Sequence, residues 1–363
     1  MKAYNLGRLI YACSDIIKLL PKHEVVRLHS CGRGYFLSSF YSSKVEPQFI
    51  PGKSCQRTLW GLKFASPLMN SAGMFKNGEG YDVVYRQGAG GYIAGTSTYN
   101  PRVGNIVDSI RLPFISLHKS QTSINYLGLP NLGDEVLSQN MFAHDKQIPI
   151  GVSLMRSGDY DEKTGMQNLL KSLWLYHNHP QVDFIEINES CPNVKLDLSD
   201  IIQRLAYLGE NFLAKRKRHL PVIIKFSLDI GEDDLKLIMD TLIKYNFDGL
   251  NLGNTSTNYA DIRPHIASSE VKLFDYFTSK FGGGVGGNIL KQKSYNCCKK
   301  AVEYKRALSP RYEFHIIRSA GIDCADDLLA SDTIGVSLNQ WYTGYFTNYI
   351  KYGDLVYQRM LEI

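Results

Sequence analysis

No apolar run in this chain approaches the ~18 residues that a membrane-spanning helix requires, and the N-terminus carries no signal-peptide cleavage pattern. The cysteines form no framework. There are seven, Cys13, Cys31, Cys55, Cys191, Cys297, Cys298 and Cys324, an odd number, with Cys297 and Cys298 adjacent rather than spaced as CxxC. That argues against paired disulfides, a zinc site and an iron–sulfur centre, and for a reducing compartment. No metal is expected. Lysine and arginine are nowhere interleaved with aromatics in a stripe that would follow a nucleic acid, and the net charge of +6 is modest for this length. The densest basic cluster, "LAKRKRHL" (213–220), reads as a solvated helix end, so no nucleic-acid partner is expected.

What is present is ordinary globular composition, 44% hydrophobic and 21% charged, over 363 residues. That length suits one large domain with an appendage, or two domains. Residues 1–45 read as one or two helices followed by a tyrosine- and serine-rich loop, and "VEPQFIPGK" (45–53) reads as a linker. The expected division is therefore an N-terminal extension over 1–50 and a main domain over 51–363. Beyond the linker, short β-rich runs recur at 67–72, 90–98, 148–155, 184–190, 222–227, 249–255, 314–321 and 333–343. Patterned helices such as 165–178 and 231–246 lie between them. Alternating strand and helix implies parallel strands with right-handed crossovers, and eight such units favour a closed (β/α)8 TIM barrel over an open sheet. The long interval between the second and third runs must hold an insertion.

In such a barrel the chemistry sits at the C-terminal ends of the strands. Those ends are polar here: "NSAGMFKNGEG" after the first, "NESCPN" after the fourth, "GNTSTN" after the sixth, "RSAG" and "WYTG" after the last two. Lys225 lies inside the apolar run "VIIKFS", where a buried ammonium needs a partner; it either snorkels to a rim or faces an anionic or electron-accepting group at the barrel mouth. The glycines of "FGGGVGG" (281–287) and "SAG" (319–321) would admit a phosphate close to backbone N–H groups, or else form a flexible linker. Cys191, in "INESCPNVK", is either a small core residue or a reacting one.

Taken in order, these segments resemble the flavin-dependent dihydroorotate dehydrogenases over about residues 60–350. "SAGMFKNGEGYDVVYRQGAGGYIAGTSTYNPRVGN" (71–105) is similar to the first βαβ unit of the quinone-linked class, "NYLGLPNLG" (125–133) to the substrate-capping loop, and "INESCPN" to the catalytic loop. "PVIIKFSLD" (221–229) is similar to the flavin lysine strand, and "DGLNLGNTS", "GGGVGGNIL", "IIRSAG" and "LNQWYTG" follow in the family's order. The resemblance implies that Ala72, Gly73, Thr96, Ser153, Asn188, Lys225, Gly287, Gly321, Tyr342 and Thr343 hold FMN. It implies that Lys76, Asn125, Asn188, Asn193, Asn254 and Thr255 hold the pyrimidine of dihydroorotate or orotate. Asparagine suits that task because its amide offers both a donor and an acceptor to the alternating N–H and C=O groups of the ring. Lys76 would neutralise the substrate carboxylate, Lys225 would stabilise negative charge on the reduced flavin, and Cys191 would be the base that removes the C5 proton.

The class signatures are mixed. A cysteine at 191 is the soluble-class residue, whereas Lys76 and the N-terminal extension are similar to the quinone-linked class. Glu189, Ser153 and Ala320 depart from the family pattern. "NLGRLIYACSDIIKLLP" (5–21) places Leu6, Ile10, Ser14, Ile17 and Leu20 near helical spacing, either for a membrane surface or for packing on the core. Lys2, Arg8, Lys18 and Lys22 would meet anionic headgroups. The resemblance therefore implies dihydroorotate oxidation with a quinone as acceptor and peripheral contact with the cytoplasmic side of the inner membrane. Competing readings are a cytoplasmic enzyme using fumarate or NAD, a related flavin reductase of another pyrimidine, and a non-catalytic flavin-binding barrel.

Overall fold

A computed structural model describes residues 2–189 and 198–362. Each of the eight β-rich runs holds one parallel strand: β1 (Leu68–Asn70), β2 (Tyr92–Ser97), β3 (Ile150–Leu154), β4 (Phe184–Asn188), β5 (Val222–Phe226), β6 (Gly249–Leu252), β7 (His315–Ser319) and β8 (Leu338–Trp341). They pair in the order β1-β8-β7-β6-β5-β4-β3-β2. The two ends of that order meet through a side chain: the Asn70 carboxamide donates to the Ile93 carbonyl (2.7 Å) and accepts from its N–H (3.1 Å). The result is a (β/α)8 barrel. Its strands are buried on both faces, which is why they read as continuous apolar runs rather than alternating ones.

The N-terminal end of the barrel is plugged. A hairpin, Arg57–Leu59 with Leu62–Phe64, brings Leu59, Trp60 and Phe64 against Phe184, Ile223, Ile317 and Leu338 at the strand starts. The Trp60 indole N–H donates to the Asp248 carbonyl (3.0 Å), so this large ring is buried without an orphaned polar atom. The expected insertion between β2 and β3 supplies two further hairpins, Ile106–Val107 with Ile110–Arg111 and Phe114–Leu117 with Thr122–Asn125. The segment read as a glycine-rich loop is in part a strand. Gly284–Gly287 pairs antiparallel with Thr122–Asn125 in a three-stranded sheet. Its glycines are required by proximity: a Cβ at Gly284 would meet the Thr255 side chain, and one at Gly287 the Gln121 carbonyl.

Two other expectations change. The tyrosine- and serine-rich stretch is not a loop, because the helix Lys22–Tyr41 runs through it, preceded by Ala3–Ala12 and Ser14–Ile17. Phe36 and Phe40, one turn apart, pack edge-on against Phe346 and Tyr349, and that burial extends the helix. The cluster "LAKRKRHL" follows the end of helix Leu198–Asn211, and Lys215, Lys217, Arg218 and His219 are exposed as expected, but its two arginines are also tied to the fold. Arg216 pairs with buried Asp248 (2.8 Å), and Arg218 donates to the carbonyls of Tyr176, His177, His179 and Val182. The start of the eighth run is likewise helical, since Ala325–Ile334 ends only at Gly335 (φ 95°).

The basic residues of the N-terminal segment turn toward protein. Lys2 pairs with Asp354 (2.7 Å), Lys18 with Asp15 (3.2 Å), and Lys22 reaches the Lys18 carbonyl (3.5 Å). Arg8 donates to the Ile350 and Lys351 carbonyls at the C-terminus of helix Thr343–Tyr352, the end that favours a cation. Several apolar residues are left outward: Leu9 (56% exposed), Ile16 (70%), Leu19 (84%) and Leu20 (43%).

Candidate active site

The C-terminal ends of the strands surround a cavity of about 420 Å³, within the range of small-molecule sites. Of the residues expected to form a site, Ala72, Gly73, Lys76, Thr96, Asn125, Asn188, Lys225, Asn254, Thr255, Gly287, Gly321, Tyr342 and Thr343 all line it. Ser153 does not. It is fully buried on β3 and its hydroxyl shares a hydrogen bond with Thr96 Oγ1 (3.0 Å), so it braces Thr96 from behind. Cys191 and Asn193 lie outside the described residues.

At the cavity floor is a buried polar network, whose Ser71, Lys225, Ser319 and Gln340 line the cavity. Lys225 Nζ donates to Ser71 Oγ (3.0 Å) and Gln340 Oε1 (3.3 Å) and stands 3.7 Å from Glu186 Oε1. The other Glu186 oxygen accepts from Asn251 Nδ2 (2.7 Å) and Gln340 Nε2 (2.8 Å). The Ser319 hydroxyl closes the ring onto Asn251 Oδ1 (2.9 Å) and Gln340 Oε1 (3.1 Å). Burial pushes the Lys225 ammonium below the usual lysine range, and the Glu186 carboxylate pulls it back up. The buried lysine therefore does not snorkel to a rim. Sequence reasoning missed Glu186, Asn251 and Gln340, although each is a polar residue inside an apolar strand run.

Above the floor the amides converge. Asn254 Nδ2 donates to Asn188 Oδ1 (3.3 Å), Asn188 Nδ2 to Thr96 Oγ1 (3.4 Å), and the Thr255 N–H to Asn254 Oδ1 (2.9 Å). Asn125 enters from the insertion sheet, donating to the Gly284 carbonyl (3.4 Å). Lys76, on the loop after β1, is held well below the usual lysine range, first by burial and then by the Arg33 guanidinium. Arg33 was not anticipated. It reaches in from helix Lys22–Tyr41, donates to the Tyr342 hydroxyl (3.2 Å) and lies over the Phe114 ring.

On the side of β6 to β8, backbone approaches the cavity closely. Gly253 (φ 130°), Gly287 (φ 122°) and Gly321 (φ 70°) all line it in conformations that other residues avoid. A Cβ at Gly253 would run into the Ser319 carbonyl, and one at Gly321 into the Lys291 backbone. Helix Thr343–Tyr352 begins at the same wall, with Thr343 Oγ1 bonded to Ser123 Oγ (2.9 Å). Glycine turns and a helix N-terminus together suit a phosphate.

The opposite wall carries a buried ion pair absent from sequence expectation. Glu189 (6% exposed) accepts from Arg204 Nε (3.0 Å) and lies 2.9 Å from its Nη2, and Arg204 is 4% exposed. Burial raises the Glu189 carboxyl and Arg204 lowers it again. Outside this pair, Arg156 and Arg204 both approach the exposed Glu162, and Arg102 pairs with Asp159. No cluster of potential metal ligands occurs among the described residues.

Comparison with known proteins agrees with this geometry. A family model described as dihydroorotate dehydrogenase matches residues 54–361. A protein of Shewanella sp. (strain W3-18-1) named dihydroorotate dehydrogenase (quinone) is 27% identical over 317 residues, 85% of each chain. One of the same name from Xylella fastidiosa (strain 9a5c) is 27% identical over 296 residues, 79% of this chain and 78% of its own. Two crystal structures of the dihydroorotate dehydrogenase of Eimeria tenella, ligand-free and with ferulenol, share the fold. Their TM-scores are 0.72 and 0.70 at 20% identity, over 94% of this chain and 92% and 89% of theirs. With the family model spanning most of its length, the chain belongs to the dihydroorotate dehydrogenase family.

Proposed function

We propose that this chain oxidises dihydroorotate to orotate in de novo pyrimidine synthesis, with FMN as cofactor and a quinone as electron acceptor. The observation that carries the reading is the convergence, on one cavity, of a buried lysine, a set of asparagines and a glycine-built cradle. The residues present fit FMN: Gly253, Gly287 and Gly321 line the cavity with positive φ and no side chain, beside the start of helix Thr343–Tyr352, so backbone N–H groups there can approach a phosphate closely. When bound, FMN would supply the acceptor for the hydride that leaves C6 of the substrate.

The chain's own groups do the rest. Lys76 meets the substrate carboxylate; its burial disfavours a lone ammonium, so an anion entering beside it restores the charged form. Asn125, Asn188, Asn193 and Asn254, with Thr255, satisfy the donors and acceptors of the ring. Cys191 takes the C5 proton. Ala72, Gly73, Thr96, Lys225, Tyr342 and Thr343 hold the cofactor, and Ser153 supports Thr96 from the second layer. Residues 1–50 act as the acceptor module: Leu9, Ile16, Leu19 and Leu20 rest on the cytoplasmic face of the inner membrane, and Arg33 links this segment to the cavity through Tyr342. No helix among the described residues is long and apolar enough to cross a membrane. The relatives named for quinone favour that acceptor over fumarate or NAD.

The test is a visible spectrum of the purified protein, which should carry the flavin bands and bleach when dihydroorotate is added without oxygen. Colour should return with a short-chain quinone and not with fumarate. A colourless preparation that takes up no FMN overturns the cofactor, and reoxidation by fumarate alone overturns the acceptor.

A further inference from the structure

Glu186 is a fully buried carboxylate whose role the reaction above does not use. One oxygen is held by Asn251 and Gln340; the other has no hydrogen-bond partner and faces Lys225 Nζ at 3.7 Å. A carboxylate left with one such oxygen in a barrel interior costs free energy unless a cation beside it offsets the loss. The side chains hydrogen-bonded to the pair from the other strands are Ser71, Asn251 and Gln340, with Ser319 bonded to the last two, and all four are neutral. We infer that Glu186 is a positioning residue for the reaction: from beneath the cavity it keeps Lys225 protonated at the cavity floor, so that a fixed cation, not a neutral amine, faces the cofactor. Burial acts on that lysine in the opposite direction, and Glu186 is the group that opposes it.

The inference rests on the reading of the cavity as a flavin site, and the test separates the two. Glu186→Gln is nearly isosteric. Its amide oxygen can still accept from Asn251 and Gln340, which directs its NH2 toward Lys225. Without the carboxylate, Lys225 loses its proton at a lower pH. In the flavin-loaded enzyme, the reduction potential followed against pH should gain an inflection in Glu186→Gln, at a lower pH than any that the lysine gives in wild type. On its alkaline side the oxidised-to-reduced ratio should rise about tenfold beyond the constant offset, about 30 mV for two electrons. The inflection should vanish in Glu186→Gln with Lys225→Met, and Glu186→Asp should behave as wild type.

Denaturation of flavin-free protein gives a second readout. A lysine whose folded pKa lies below its unfolded value favours unfolding below that range and ceases to do so as pH rises through it. Glu186→Gln should therefore gain stability with pH more steeply than wild type, with the folded-to-unfolded ratio growing up to about tenfold per unit, and the double variant should not. Parallel potential profiles with only a constant offset, or parallel stability profiles, overturn the inference. A protein that takes up no FMN overturns the flavin reading instead, and the stability profiles then decide the pairing alone. If Glu186→Gln does not fold, the pairing is decided by Glu186→Asp and Lys225→Met: folded Glu186→Asp with a new inflection overturns it.

Discussion

Removing Arg204 isolates a buried negative charge, and the cost can be worked out from the contacts. Arg204 and Glu189 are 4% and 6% exposed and meet through two nitrogen–oxygen approaches of 3.0 and 2.9 Å. Arg204→Met keeps most of the apolar stem and deletes the cation. The second contact of Arg204, to Glu162 at 3.6 Å, is expendable, because Glu162 is more than half exposed and retains Arg156. Deleting one partner of a buried pair typically destabilises by about 3–5 kcal/mol. The loss should depend on pH in a definite direction. Burial already raises the Glu189 carboxyl, and losing Arg204 raises it further. A carboxyl whose folded pKa exceeds its unfolded value of about 4.3 is neutral in both states at low pH and carries no penalty there. The penalty grows as pH rises through the unfolded value and is complete above the folded one. Urea denaturation should therefore place Arg204→Met close to wild type near pH 4 and about 3–5 kcal/mol below it at pH 8. The double variant Glu189→Leu with Arg204→Met should recover most of the loss. A deficit under about 1 kcal/mol at pH 8, or one that does not change with pH, would mean that water reaches the pair and that it is worth no more than a surface bridge.

Three further outcomes are expected. Gly253→Ala drives a Cβ into the Ser319 carbonyl from a backbone at φ 130°, so it should yield insoluble protein or protein with greatly weakened FMN binding, read by the flavin absorbance that co-purifies. Ile16→Glu with Leu19→Glu removes two exposed apolar contacts worth about 1.5–3 kcal/mol each if buried in lipid, so sedimentation with anionic vesicles should fall at least tenfold while thermal stability is unchanged. Cys191→Ala should slow anaerobic flavin reduction by dihydroorotate on the order of a hundredfold while orotate still binds; a wild-type rate would make the cysteine structural.

The fold was legible because a parallel barrel writes itself plainly: strands buried on both faces become short apolar runs, and the crossovers between them become patterned helices. The cavity residues were legible through resemblance, residue by residue, and the structure gathers the described ones except Ser153, which stands one layer back. The losses have particular causes. The aromatic partners of Phe36 and Phe40 lie some three hundred residues away, so nothing local distinguishes the helix through "GYFLSSFY" from a polar loop. A strand made of "GVGG" has no side chains from which to read a period; its pairing with Thr122–Asn125 is set by backbone and by the absence of Cβ atoms. Arg216 looks like solvated charge until its partner Asp248 is brought to it, and nothing local in the sequence shows that the exposed Arg218 also donates to the carbonyls of Tyr176, His177, His179 and Val182.

Glu186 was missed for a different reason, since its signal is in the sequence. Side chains along a strand alternate between faces, so inward residues recur every second position. The apolar plug identifies the inward phase: Met69, Ile93, Phe184, Ile223, Ile317 and Leu338 all meet at the closed end. Two residues further along each strand stand Ser71, Gly95, Glu186, Lys225, Ser319 and Gln340, and five of these six form or join the polar network at the cavity floor. One more step from Glu186 reaches Asn188, at the cavity itself. Six of the eight strands thus carry a dry residue at the bottom and, two positions on, one nearer the mouth that is polar in five of the six. A lone lysine in "VIIKF" is an anomaly when its strand is read by itself. Read two residues beyond the plug on those six strands, it is one member of a ring that contains its counter-charge, and a buried ammonium there requires such a partner.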